Sequence, residues 1–322
     1  MNTHGPAPYL VALAFLVAAA VAAIAGPGVI VLARRAGAVD HPRSRRVHVT
    51  PMLTWGGLAM LLGFLASIVM VVSVARTRGV TFDVPSRQLA GVLVGGCLIA
   101  LLGAIDDRFE MRAAPKFIGQ ILCAALLLPF GVTISGLAGH PLPVWLGWGL
   151  TVIWVVAVVN AINFIDGLDG LAAGVVGIAS VALAIIALSR GQILAAAMAS
   201  ALAGSTVGFL PYNFNPARIF MGDLGSHFLG YTAAATAIVG TFKIAASLAL
   251  IAPLIAFAVP IFDTTWAMIR RYRSGQSIAR GDRQHLHHRL LGRGLSQRQA
   301  VLILYAVSAG CSTLAVVISW PT

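Results

Sequence analysis

The chain has 322 residues, of which 59% are apolar and 10% charged, with a mean hydropathy of +0.91. Soluble domains carry roughly 25% charged residues, so this composition excludes a water-soluble fold. The formal charge of +12 would suggest nucleic acid as a partner of a soluble protein, but in a membrane protein the positive-inside rule accounts for it, and no nucleic acid is expected.

Crossing a hydrocarbon core of about 30 Å takes about 20 apolar residues in a helix. Ten such runs follow one another: 9–33, 55–75, 88–105, 117–131, 145–162, 171–189, 192–211, 226–242, 244–269 and 299–320. The expectation is an all-α, polytopic membrane protein with about ten transmembrane helices. The first run has no basic residues ahead of it and ends at Ala25-Gly26-Pro27-Gly28, so it reads as a retained helix and not a signal peptide. The longest polar interval, 270–298, is a basic loop, which leaves residues 1–322 as one transmembrane domain. Cys97, Cys123 and Cys311 fall inside the runs without metal or disulfide spacing and read as small core residues.

With ten crossings, seventeen of the basic residues fall on one side and five on the other. The first side is then cytoplasmic and both termini lie outside. Asp40, Asp106, Asp107, Glu110, Asp166, Asp169, Asp223 and Asp282 share that side, with Asp263 close to it. Acidic residues contribute little to orientation, so their gathering needs another cause, and acids in or beside a bilayer point first to a functional site.

The first basic loop reads Asp40-His41-Pro42-Arg43-Ser44-Arg45-Arg46-Val47-His48 and leads to Trp55-Gly56-Gly57. The third run ends in Asp106-Asp107-Arg108, with Lys116 and Gln120 opening the next. Adjacent carboxylates at a helix C-terminus repel each other and oppose the macrodipole, so they call for a cation: a divalent metal, or simply Arg108 and Arg112 in a solvated loop.

The fifth run closes on Asn160, Asn163, Asp166, Gly167, Leu168, Asp169 and Gly170. Asn160 and Asn163 are one turn apart and share a helix face. Asp166 and Asp169 flank glycines at the entry to the next helix, a place suited to anions, with the carboxylates adding metal or ribose contacts. Helix capping by Asp169 is the plainer alternative, but it leaves the two asparagines unexplained.

The segment Phe220-Met221-Gly222-Asp223 puts a carboxylate at the start of the eighth helix, as a cap or as a ligand for Mg2+, which takes one or two carboxylates and keeps positions for phosphate oxygens. In the last basic loop, Asp282-Arg283-Gln284-His285-Leu286-His287-His288-Arg289 has three histidines in four residues but no second ligand cluster for zinc. Phosphate binding, or attraction to anionic lipid, suits it better.

In this order, the five segments resemble the polyprenyl-phosphate N-acetylhexosamine-1-phosphate transferases of glycosyltransferase family 4, which include translocase I of peptidoglycan synthesis. The resemblance covers residues 30 to 295. The histidine segment and Arg45-Arg46-Val47-His48 look like the branch that uses UDP-N-acetylglucosamine, although Leu53 and Met111 stand where proline and leucine are common in the family.

The resemblance implies a bacterial plasma-membrane enzyme with a cytoplasmic site. It would transfer N-acetylhexosamine-1-phosphate from a UDP-sugar to undecaprenyl (polyprenyl) phosphate and release UMP, as the first membrane step of a cell-envelope glycan pathway. Mg2+ is the implied cofactor, with Mn2+ as a substitute, and a second copy of the chain is a candidate partner. The implied catalytic residues are Asp106, Asp107, Lys116, Asp166, His287 and His288. Substrate would be held by Asn160, Asn163, Gly167, Leu168, Asp169, Phe220, His285, Arg283, His48 and Arg46, and the metal by Asp223 and Asp166.

Transfer of a muramoyl-pentapeptide phosphate is the alternative within the family. An ion-coupled transporter would place its acids near the membrane midplane rather than at span ends. The CDP-alcohol phosphatidyltransferases would need an arginine after the second Asp-Gly, where this chain has Leu171-Ala172-Ala173-Gly174.

Overall fold

The structure is a computed structural model that describes residues 8–40, 51–82, 84–137, 140–241, 251–273 and 286–320. It is almost entirely helical: α1 (Pro8–Ala36), α2 (Gly57–Thr77), α3 (Ser86–Phe109), α4 (Ala113–Ala125), α5 (Val144–Ile165), α6 (Leu171–Ser189), α7 (Ile193–Asn213), α8 (Gly222–Thr241), α9 (Ile251–Ala256), α10 (Ala258–Arg273), α11 (Leu286–Gly292) and α12 (Gln297–Ser319). The strands form two short antiparallel hairpins, β1 (Val39–Asp40) with β2 (Met52–Leu53) and β3 (Gly136–Leu137) with β4 (His140–Pro141).

Seven helices, α1, α2, α3, α5, α6, α7 and α12, are long and apolar enough to cross a membrane. The protein is therefore an all-α, multi-pass membrane protein. Each of the other three expected spans also falls on helix. The fourth, expected over 117–131, is the 13-residue α4, whose length of about 20 Å is too short to cross by itself. The eighth is α8, and the ninth is met by α9 and α10, with 242–250 outside the described residues.

The bundle is built around α7 and α8. Nearly every residue of α7 is buried, and α1, α2 and α6 pack around it, while α3 and α5 flank α8. Lipid offers no hydrophobic drive for helices to associate, so close backbone approach and interhelical hydrogen bonds take its place. A Cβ on Gly204 or Gly208 of α7 would stand 2.2 Å from the carbonyl oxygen of Phe15 or Ala19 on α1. Ser200 and Ser67 donate to the Val11 and Ala14 carbonyls of the same helix, at 2.8 and 2.7 Å.

The same device operates where the acidic residues gather. A Cβ on Gly103 would lie 2.3 Å from the Asp223 carbonyl oxygen, and one on Gly57 would lie 2.2 Å from Gly225 Cα. Thus α2 and α3 each touch the backbone of α8 at its first turn. Gly103→Ala is expected to force these helices apart. Overpacking of this kind typically costs about 1–3 kcal/mol, so the apparent Tm of the detergent-solubilised protein should fall by several degrees, whereas Gly149→Ala, where a Cβ meets nothing within 4 Å, should leave it unchanged.

Candidate active site

The C-termini of α3 and α5 and the N-termini of α4 and α8 meet at one end of the bundle, and each brings an expected residue. Lys116 Nζ lies 2.7 Å from Asp106 Oδ2 and 2.6 Å from Asp223 Oδ2. Asn163 Nδ2 donates to Asp223 Oδ1 and, at 2.9 Å, to Ser226 Oγ. Asp107 accepts the Asp223 and Leu224 backbone N–H groups at 2.7 and 3.1 Å, which caps α8 from outside its own sequence. Two carboxylates from two helices are thus held against one ammonium group, and a third, Asp107, is held against the first turn of α8.

Local sequence explains how they converge. Asp106 also accepts the Met111 N–H at 2.7 Å, closing the turn in which Glu110 adopts φ +51°, so the same side chain ends α3 and faces Lys116. Gly222 has φ +71°, and a Cβ there would stand 2.4 Å from Asp107 Oδ2, so glycine is what lets the carboxylate reach the helix N-terminus. Burial alone would strip the charge from Lys116, but the Asp223 and Asp106 carboxylates outweigh it and raise its pKa above the usual lysine value. Lys116 is therefore a fixed cation, and it supplies the charge that Asp106 calls for, while the N–H groups at the start of α8 answer Asp107.

The α5–α6 turn is held by other partners. Asp166 caps the end of α5, exposed Gly167 and buried Leu168 follow it, and Gly170 has φ +80°. Asp169 Oδ2 accepts from Asn215 Nδ2 at 2.9 Å and from the Ala217 N–H at 3.0 Å. Gly170 N donates to Asn213 Oδ1 at 3.1 Å, and Tyr305 of α12 donates to the Gly170 carbonyl. Asp169 therefore ties the α5–α6 turn to the α7–α8 connection and is not among the groups around Lys116.

Phe220 joins that connection to the first loop. Its N–H donates to the Leu53 carbonyl at 2.8 Å, and its own carbonyl accepts the Gly56 N–H at 2.9 Å. The end of the first loop is thereby placed beside Asp223. Arg46, His48, Arg283 and His285 lie outside the described residues. Leu286, at the start of α11, donates its N–H to Asp263 Oδ1 at 2.9 Å, so buried Asp263 anchors the helix that carries His287 and His288.

Sequence reasoning missed Ser226, Asn213, Asn215, Tyr305 and His227. Of these, His227 had a signal available: it is one turn beyond Asp223, as Gln120 is one turn beyond Lys116. Asn160, expected to hold substrate, lies one turn below Asn163 and donates to Gln120 Oε1 at 2.7 Å and to the Val156 carbonyl at 2.8 Å. Among the described residues, no three His, Cys, Asp or Glu side chains form a metal-binding group by themselves.

Residues 89–241, which contain the Lys116 cluster, match the family described as "Glycosyl transferase family 4". The "Probable undecaprenyl-phosphate N-acetylglucosaminyl 1-phosphate transferase" of Bacillus subtilis is 38% identical over 97% of this chain and 86% of its own length. The "Decaprenyl-phosphate N-acetylglucosaminephosphotransferase" of Mycobacterium leprae is 40% identical over 91% of this chain and 80% of its own. The "Undecaprenyl-phosphate alpha-N-acetylglucosaminyl 1-phosphate transferase" of Haemophilus influenzae is 31% identical, covering 88% and 80%. With relatives of this identity along nearly its whole length, the chain belongs to glycosyl transferase family 4, in the branch these relatives represent.

Proposed function

We propose that this protein transfers N-acetylglucosamine-1-phosphate from UDP-N-acetylglucosamine to undecaprenyl phosphate or a similar polyprenyl phosphate, at the cytoplasmic face of the bacterial plasma membrane. The observation that carries the proposal is the seating of Lys116 between Asp106 and Asp223, a fixed cation at a membrane-helix end where two anionic substrates would have to meet. The names of the relatives supply the sugar and the acceptor class.

In this reaction an oxygen of the acceptor phosphate attacks the sugar-bearing phosphorus of the donor. A new phosphorus–oxygen bond forms, the bond to the UMP oxygen breaks, and UMP leaves with the bonding electrons, so the sugar keeps its bond to phosphate. A phosphomonoester has its second pKa near 6, so around pH 7 the acceptor is largely a dianion and needs no strong base. The difficulty is repulsion between anions, and catalysis of phosphoryl transfer rests mainly on positioning and electrostatic stabilisation. Lys116 lowers that repulsion, Asp106 and Asp223 orient Lys116, and Asn163 orients Asp223. His287 and His288, on the helix that Asp263 anchors, would contact the donor diphosphate. Asp166, Gly167, Leu168, Asp169 and Phe220 would shape the nucleotide pocket.

The carboxylate set suits a divalent cation. Asp106 and Asp223 against Lys116, with Asp107 on the first turn of α8, leave a formal excess of two negative charges, and their oxygens are the hard donors that Mg2+ takes together with phosphate oxygens. Asp223, with Asp166 as a second carboxylate, would hold Mg2+, which when bound neutralises the donor diphosphate.

The test is to incubate the purified protein with undecaprenyl phosphate and a panel of UDP-sugars that includes UDP-N-acetylmuramoyl-pentapeptide. UMP and a lipid diphosphate sugar should appear with UDP-N-acetylglucosamine, and no phosphate should remain on the protein when the acceptor is omitted. Turnover of the muramoyl substrate alone would reassign the sugar. A phosphorylated Asp106 or Asp107 would replace direct attack with a two-step mechanism.

A further inference from the structure

A second group of buried polar side chains lies one helical turn beneath the Lys116 cluster, on the same three helices. Lys116 and Gln120 are one turn apart on α4, Asn163 and Asn160 on α5, and Asp223 and His227 on α8. Gln120 is 1% exposed and His227 is fully buried. Each helix thus contributes one group to the charged upper layer and one to a neutral lower layer.

The hydrogen bonds of the lower layer have only one consistent direction. Asn160 Nδ2 gives one hydrogen to the Val156 carbonyl and the other to Gln120 Oε1. That leaves Gln120 Nε2 facing His227 Nε2 at 3.2 Å. An amide nitrogen only donates, so the imidazole Nε2 accepts, and the neutral ring carries its proton on Nδ1. His227 Nδ1 itself has no hydrogen-bond partner among the described residues. An apolar side chain would avoid that unmet donor, so it is the Nε2 bond, not packing, that accounts for a histidine here.

The helix that needs fixing is α4. It has only 13 residues and buries only Gln120 and Ala124, while Phe117, Ile118 and Leu122 on its other face are 49%, 57% and 65% exposed. Adjacent residues on a helix point about 100° apart, so a roll of α4 by one position would carry Lys116 out from between its two carboxylates. Packing of one narrow stripe resists such a roll weakly. A directional bond from Gln120 to two other helices resists it strongly.

We propose that Gln120, Asn160 and His227 are positioning residues that fix the rotation of α4 and so hold Lys116 between Asp106 and Asp223. The inference rests on the functional reading above only in giving Lys116 a part in the transfer. The placement of Lys116 can be read without any turnover.

The experiment uses the full-length protein in detergent and the variants Gln120→Met, which keeps side-chain volume, His227→Leu and His227→Gln. Two quantities are recorded: kcat and KM for UMP release, and acylation of Lys116 by a pulse of acetic anhydride, measured by mass spectrometry against Lys243, the other lysine of the chain. In Gln120→Met and His227→Leu, kcat should fall at least tenfold with KM for UDP-N-acetylglucosamine within about twofold, and Lys116 should label several times faster relative to Lys243. His227→Gln, whose amide carbonyl reaches the place of Nε2, should restore both. If Lys116 labelling in Gln120→Met stays at the wild-type ratio, or if His227→Gln behaves like His227→Leu, the positioning role is wrong. Should the wild-type protein release no UMP from any UDP-sugar, the functional reading fails, and the labelling ratios still decide the positioning role. Should His227→Leu fail to fold, Gln120→Met carries the test.

Discussion

Asp223→Asn should lower UMP release at least about 100-fold while the protein still inserts in the membrane and extracts as a folded species. The size follows from what the carboxylate does. Its two oxygens accept from Lys116 and Asn163, and it stands at the first turn of α8, between the groups that would meet the acceptor and those that would meet the donor. Loss of a single preorganised electrostatic group in a site of this kind costs about 10²–10³ in turnover. Asparagine keeps the shape, and the cap on α8 comes from Asp107, so the fold should survive. If Asp223 also holds Mg2+, added magnesium should not restore the variant, and a chelator should silence the wild type. Activity within threefold of wild type would remove Asp223 from both roles.

How much of this could be read from sequence depended on whether the cause was local. Long apolar runs place themselves, because lipid demands length and hydrophobicity, and α1, α2, α3, α5, α6, α7 and α12 fall where the runs do. The fourth run misled on length. Its helix starts at Ala113, ahead of the apolar residues, because Lys116 and Gln120 face inward to polar partners, and inward polar residues look like a loop when only hydropathy is read. Asp106, Asp107, Asn163 and Asp223 were legible because each is a poor choice for lipid unless something answers it. The answering cation, Lys116, was also visible, though not its position between two carboxylates.

Distant partners were not legible. Nothing near Asp169 in sequence shows that Asn215 and Ala217 hold its carboxylate, and those contacts span more than forty residues of chain. By sequence, Asp263 falls close to the side where the acids gather, and the structure gives it a structural task, anchoring α11, on which His287 and His288 stand. The glycines at which α2 and α3 meet α8 carried no chemical signal. Gly57 and Gly103 are needed because another backbone comes within van der Waals distance, a fact about helix packing rather than about either segment.

The second large effect is expected from Lys116→Met, which should separate stability from activity. Asp106 is 7% exposed and Asp223 27%, so removing the ammonium leaves two carboxylates close together with little water to screen them. Breaking a buried ion pair from one side typically costs about 3–5 kcal/mol. The apparent Tm should drop sharply and UMP release should fall at least about 100-fold. Adding Asp106→Asn to Lys116→Met removes one of the stranded charges, so the double variant should be more stable than Lys116→Met alone. If Lys116 steadies the acceptor phosphate, as proposed, the double variant should not be more active, because that cation is still missing. A double variant that regained both stability and turnover would mean that Lys116 serves only to neutralise Asp106 and Asp223. Regained stability with turnover still lost would place the lysine with the substrates.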